Sequence, residues 1–135
     1  MKKLLVTAAI LTVVGVIAGP AIAGGKGSSS IQLVRMNAGL AAASADPTFG
    51  EQVTFAVSTS RTDWPWVQNR CWQGRTLVYE EWHGFWTGYY RAAIYTLGPT
   101  PSWSGGSADC EGRLIRQSSG GNMQTLATTT YHVGG

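Results

Sequence analysis

Histidine and cysteine each occur only twice in the 135 residues, and acidic side chains only seven times. That scarcity excludes much of the usual chemistry. A structural zinc site needs four ligands at a regular spacing, and Cys71, Cys110, His83 and His132 form no such pattern. A calcium loop needs clustered carboxylates, whereas Asp46 and Asp63 stand isolated. Glu80 and Glu81 are adjacent, so on a strand they point to opposite faces and do not make a carboxylate pair. Asp109 and Glu111 share a face, but as solvated groups beside Arg113. No serine lies in a Gly-x-Ser-x-Gly elbow, and His83 and His132 read as solvated polar residues. The expectation is no catalytic residue, no metal and no cofactor.

Helical periodicity is also missing: no stretch carries a convincing 3.6-residue apolar repeat. Basic clusters are absent as well. Lysine occurs only at Lys2, Lys3 and Lys26, and the seven arginines are spread singly, which argues against a nucleic-acid partner.

One long apolar run is present, at the start. Lys2 and Lys3 precede a nearly unbroken apolar stretch over residues 4–18, followed by Pro20 and the small-x-small triplet Ala21-Ile22-Ala23. This pattern predicts a secretory signal peptide over residues 1–23, cleaved after Ala23. The run of about 15 residues is shorter than the roughly 20 required to cross a bilayer. No cysteine sits just past the cleavage site, and the end at Val133-Gly134-Gly135 carries no hydrophobic tail. A secreted product, with no membrane attachment after cleavage, is expected. Removing 23 of 135 residues leaves 112, and the loss of Lys2 and Lys3 lowers the formal charge from +3 to +1.

Export changes the reading of the two cysteines. An even count in an oxidising compartment predicts a Cys71–Cys110 disulfide. A closed loop of about 40 residues contributes about 4 kcal/mol in the chain-entropy model.

Residues 24–30 read as a flexible Gly/Ser leader, and residues 31–135 as one β-domain. Ile31 and Leu33 begin a first strand. Residues 37–50 favour a loop over a short helix at 38–45. Val53, Phe55 and Val57 alternate with polar neighbours. Val67, Asn69 and Cys71 share one face, with Trp66, Gln68, Arg70 and Trp72 on the other. Gln73-Gly74-Arg75 turns into an alternating strand over 76–81, and Gly84 and Gly88 bracket an aromatic loop. Residues 90–97 are β-rich. Ala108, Cys110, Gly112 and Leu114 share a face, and a polar loop at 118–122 leads to Ala127, Thr129, Tyr131 and Val133. About seven short strands in one domain suggest an all-β antiparallel sandwich with one disulfide.

The strand spacing resembles that of immunoglobulin-like and fibronectin-like sandwiches. Gly50-Glu51-Gln52-Val53-Thr54-Phe55-Ala56-Val57 stands for strand B, Cys71 for C, Ala108-Asp109-Cys110 for F, and Tyr131-His132-Val133 for G. Ala108 occupies the position of the antibody tyrosine, and the bridge would join C to F within one sheet rather than B to F across sheets. The Trp103-Ser104-Gly105-Gly106-Ser107-Ala108-Asp109-Cys110 segment is similar to that of small exported bacterial proteins. These resemblances imply a fold and no activity.

Aromatic residues are plentiful: six Trp, five Tyr and three Phe, all beyond residue 23. Phe55, Tyr95 and Tyr131 have core parity, and Trp103 reads as a core plug. Trp66 and Trp72 face outward around Arg70, while Trp82, Phe85, Trp86, Tyr89 and Tyr90 crowd one connection. Three uses remain open for them. They cap the sandwich, they form a protein interface, or they stack on sugar rings. The function expected is a monomeric, non-catalytic binding module for an extracellular or cell-surface protein or glycan, with a structural subunit that assembles through strand edges as a further alternative.

Overall fold

A computed structural model describes residues 28–37, 45–86 and 93–135. Among these residues there is no helix, and seven strands form two antiparallel sheets. The expected signal peptide over 1–23, the leader residues 24–27 and the 38–44 segment lie outside the described residues.

The smaller sheet has the order β1 (Ser29–Arg35), β2 (Gln52–Thr59), β5 (Tyr95–Thr96). The larger has the order β4 (Thr76–Gly84), β3 (Trp66–Gln73), β6 (Ala108–Gln117), β7 (Met123–Val133). Period-two alternation sets which residues meet. Leu33 pairs with Phe55 and Ile31 with Val57 in one sheet, while Val67 pairs with Leu114 and Cys71 with Cys110 in the other. Gly74 takes φ +61°, a left-handed conformation open to glycine, and lets β3 turn directly into β4.

The two inner faces pack against each other. Phe55 is edge-on to Tyr95 and Tyr131, with centroids 5.3 and 6.3 Å away. The Tyr95 hydroxyl donates to the Val67 carbonyl on the opposite sheet at 2.8 Å. Trp103 is fully buried, edge-on to Phe49 and Tyr79, and donates its indole N–H to the Gly106 carbonyl. Cys71 and Cys110 are bonded across adjacent strands of one sheet, with Cα atoms 4.0 Å apart.

Element limits differ from the sequence expectation in three places. Ser29 and Ser30, assigned above to the leader, belong to β1, and Ser29 is buried with its hydroxyl bonded to Thr59 at 2.8 Å. The fourth strand continues to Gly84, so Trp82 and His83 are strand residues. Within 93–97, the described part of the β-rich stretch 90–97, Tyr95 and Thr96 form a ladder, pairing with Val53 and Gln52; residues 87–92 are not described.

Candidate functional site

The outer face of the larger sheet gathers the aromatic residues. Its registers set side by side Trp82, Gln68, Arg113 and Thr128, then Glu80, Arg70, Glu111 and Thr130, then Trp72, Asp109 and His132. At the other end Trp66 is opposite Gly84 on one side and Ile115 on the other. A Cβ on Gly84 would lie 2.3 Å from the Trp86 ring, so Trp86 occupies the outer face above that glycine. Trp64 and Trp66 each meet Trp86 edge-to-face, with centroids 5.5 and 5.2 Å away. Ile115, beside them, is 1% exposed, so the cluster covers an apolar patch outside the main core.

Five tryptophans thus lie on or beside one face. Trp64 is 64% and Trp82 37% exposed, whereas Trp66, Trp72 and Trp86 are half-buried. The cations are interleaved with the rings. Arg70 places its guanidinium 5.0 Å from the Trp72 ring centroid and pairs with Glu111 at 3.0 Å. Arg113 reaches Gln68, which in turn donates to Glu80 at 3.2 Å. His132 and Asp109 form a cross-strand pair at 2.9 Å, and Asp109 remains 85% exposed. A depression of about 480 Å³ opens between Trp72 and this pair, with Glu111 and Thr130 in its lining.

Not all the expected residues belong to this surface. Trp66, Arg70 and Trp72 face outward together, and Trp82 and Trp86 join them. Phe85 does not: it is 4% exposed and packs in the core, because β4 ends one residue earlier and turns its next side chain inward. Tyr89 and Tyr90 lie outside the described residues.

A second constellation runs along the inner side of β4. The Tyr79 hydroxyl donates to Glu81 Oε2 at 2.5 Å, and His83 Nε2 meets Glu81 Oε1 at 2.9 Å. The His83 ring is edge-on to Tyr95 at 4.7 Å. Burial, followed by the hydrogen bond to Glu81, pushes the Tyr79 phenol well above its ordinary value. Burial and then the Glu81 charge do the same to Tyr95. Both phenols therefore act as neutral donors. The signal for this set is in the sequence: Tyr79-x-Glu81-x-His83 repeats every second residue, which puts all three on one face of a strand. His83 is thus a strand residue held by Glu81 and packed on Tyr95, not the solvated polar residue expected from the sequence.

No cluster of three metal-binding side chains occurs among the described residues. No helix there is long and apolar enough to cross a membrane. Comparison with protein-family models, with curated proteins and with solved structures finds no match.

Proposed function

We propose that the protein is an exported, non-catalytic interaction module, a sandwich of the immunoglobulin-like kind that offers the tryptophan-bearing face of its larger sheet to an extracellular or cell-surface protein. One observation carries this reading. Five of the six tryptophans collect on or beside a single face, interleaved with Arg70 and Arg113, while Trp103 alone is left to the core. Trp and Arg are the residues that most often anchor protein interfaces, since each combines a large contact area with a polar handle. The paired cysteines and the signal-like start support export.

Cross-linking the mature protein to the extracellular fraction of its source tests the reading. Trp66→Ala, Trp72→Ala and Trp82→Ala should each keep the melting temperature within a few degrees. At least one should weaken capture of a discrete protein adduct by about 30-fold, the loss of a hot-spot residue. Equal capture by all three variants would sink it.

A carbohydrate ligand is the second reading, favoured by the depression beside Trp72 with its carboxylates Asp109 and Glu111. The Trp64, Trp66 and Trp86 rings stand at 74–75° to their neighbours rather than forming a flat strip, which makes it the lesser one. A glycan array read by tryptophan fluorescence decides between the two; a saturable spectral shift with one polysaccharide would displace the protein-partner reading.

A further inference from the structure

The alternation of backbone hydrogen bonds identifies which groups of β4 are turned outward. The 4.0 Å separation of the Cys71 and Cys110 Cα atoms marks them as a non-hydrogen-bonded pair between β3 and β6. The Cys71 backbone N–H and C=O therefore point the other way, toward Tyr79 of β4. By alternation Glu81 and His83 also bond to β3, while the N–H and C=O groups of Glu80 and Trp82 face away from the sheet. Val78 shares that side, and its carbonyl accepts from the Thr100 hydroxyl at 2.7 Å. Among the described residues no strand pairs with this side of β4.

A cleft of about 490 Å³ follows the same edge. The β4 residues Tyr79, Glu80 and Glu81 form one wall, and Thr96, Pro99 and Pro101 contribute to the other. The Glu81 side chain is 40% exposed at the cleft, held in place by Tyr79 and His83. Glu80 accepts from Gln68. Neither carboxylate has a Lys or Arg within ion-pair distance among the described residues. The edge thus combines backbone groups that have no strand partner among the described residues with two acidic side chains, one reaching toward each face of the sheet.

We infer that this edge docks an extended polypeptide segment carrying a Lys or Arg, which adds to β4 as a fifth strand of the tryptophan-bearing sheet; the inference rests on the reading of the partner as a protein. Strand addition supplies the Glu80 and Trp82 backbone groups with hydrogen bonds. The side chain that alternation turns into the cleft meets the Glu81 carboxylate, and its neighbours pass over Glu80 and Trp82. A second copy of the same edge is disfavoured, because it would bring Glu80 and Glu81 against like charges. A basic segment is selected for the same reason.

The test uses the full chain, disulfide intact and labelled with nitrogen-15. The probes are two blocked pentapeptides, Thr-Val-Lys-Val-Thr and Thr-Val-Glu-Val-Thr. At millimolar concentration the lysine peptide should shift the Glu80 and Trp82 amides saturably and slow their hydrogen exchange. The glutamate peptide should bind about tenfold more weakly, as expected for one charge pair exchanged for a repulsion. Glu81→Gln should remove that preference. Because Glu81 also holds Tyr79 and His83, the unaltered protein titrated with both peptides at low and at high salt provides the comparison if that variant unfolds: the lysine preference should shrink as salt screens the pair, and a preference unchanged by salt overturns the inference. Shifts that map elsewhere, equal binding of both peptides, or no saturable binding of the lysine peptide each overturn the inference. A silent edge alongside adducts lost in the Trp66→Ala variant removes the edge and leaves the tryptophan face standing. A responsive edge with unchanged adducts does the reverse.

Discussion

Phe55 of the smaller sheet lies against the backbone of Gly112 in the larger one, so closely that a Cβ at Gly112 would come within 2.6 Å of a ring carbon. Gly112 is buried and takes an ordinary strand conformation, so its reason for being glycine is this approach of one sheet to the other. Gly112→Ala should cost about 1–3 kcal/mol, the usual penalty for overpacking a tight core. Combining it with Phe55→Leu should recover part of that loss relative to the sum of the single changes. Urea midpoints of the four proteins check this; additivity within about 0.3 kcal/mol would show that the two residues do not couple.

Asn69 is fully buried in β3, and its Oδ1 accepts the Tyr131 hydroxyl at 2.8 Å, whereas its Nδ2 has no partner among the described residues. Tyr131→Phe should destabilise by about 1–3 kcal/mol because it leaves a buried acceptor unpaired. Joining it to Asn69→Val should restore much of the loss, since replacing both polar partners by apolar groups removes the desolvation cost along with the bond. Thermal melts suffice, and a double variant less stable than Tyr131→Phe alone would contradict this account.

Three phenols link stability to alkaline pH. Tyr79, Tyr95 and Tyr131 are all raised above the ordinary value of 10.0, chiefly by burial. Each is protonated in the fold at a pH where the unfolded chain has lost the proton, so the unfolded state binds fewer protons and stability falls as pH rises. The effect is absent below about pH 10, where both states are protonated. Above it, three groups together remove up to about 4 kcal/mol per pH unit. Absorbance at the phenolate wavelength should show at least three of the five tyrosines un-ionised until the chain unfolds. A smooth five-phenol titration with the fold intact would refute it.

The Cys71–Cys110 bridge closes a loop with a sequence separation of 39. Replacing both cysteines by serine should lower stability by about 4 kcal/mol on the chain-entropy model, a large share of the total for a domain of this size. Guanidinium unfolding of the oxidised and serine forms measures the difference; a loss below about 1 kcal/mol would show that the unfolded chain is already restrained near this register.

The alternating runs made most of the sandwich legible. Val53 and Phe55 face inward in β2, Val67 and Cys71 in β3, and Leu114 in β6, as period two requires, and the cysteines fell on the inner faces of their strands. The end of β4 was not legible, for a physical reason. There the usual polarity is inverted: Glu81 and His83 point inward and Trp82 outward. An inward Glu and His are tolerated because they satisfy each other and Tyr79 beside an open edge, but a hydrophobic alternation read from the sequence stops at them. The same inversion hid the inward turn of Phe85 and the seat of Trp86 above Gly84. The side-by-side placement of Trp82 with Gln68 depends on strand order, which composition does not encode.

The bridge between neighbouring strands also determines how the molecule carries load. Tension applied between the chain ends passes from Cys71 to Cys110 through the sulfurs. Residues 72–109, with β4, β5 and the edge proposed to receive a partner strand, are bypassed. Roughly 130 Å of contour length stays out of reach of a pull until the bridge is reduced, so the chain that forms β4 itself bears no tension, even when residues 66–70 of β3, on the loaded side of the bridge, are drawn away from it.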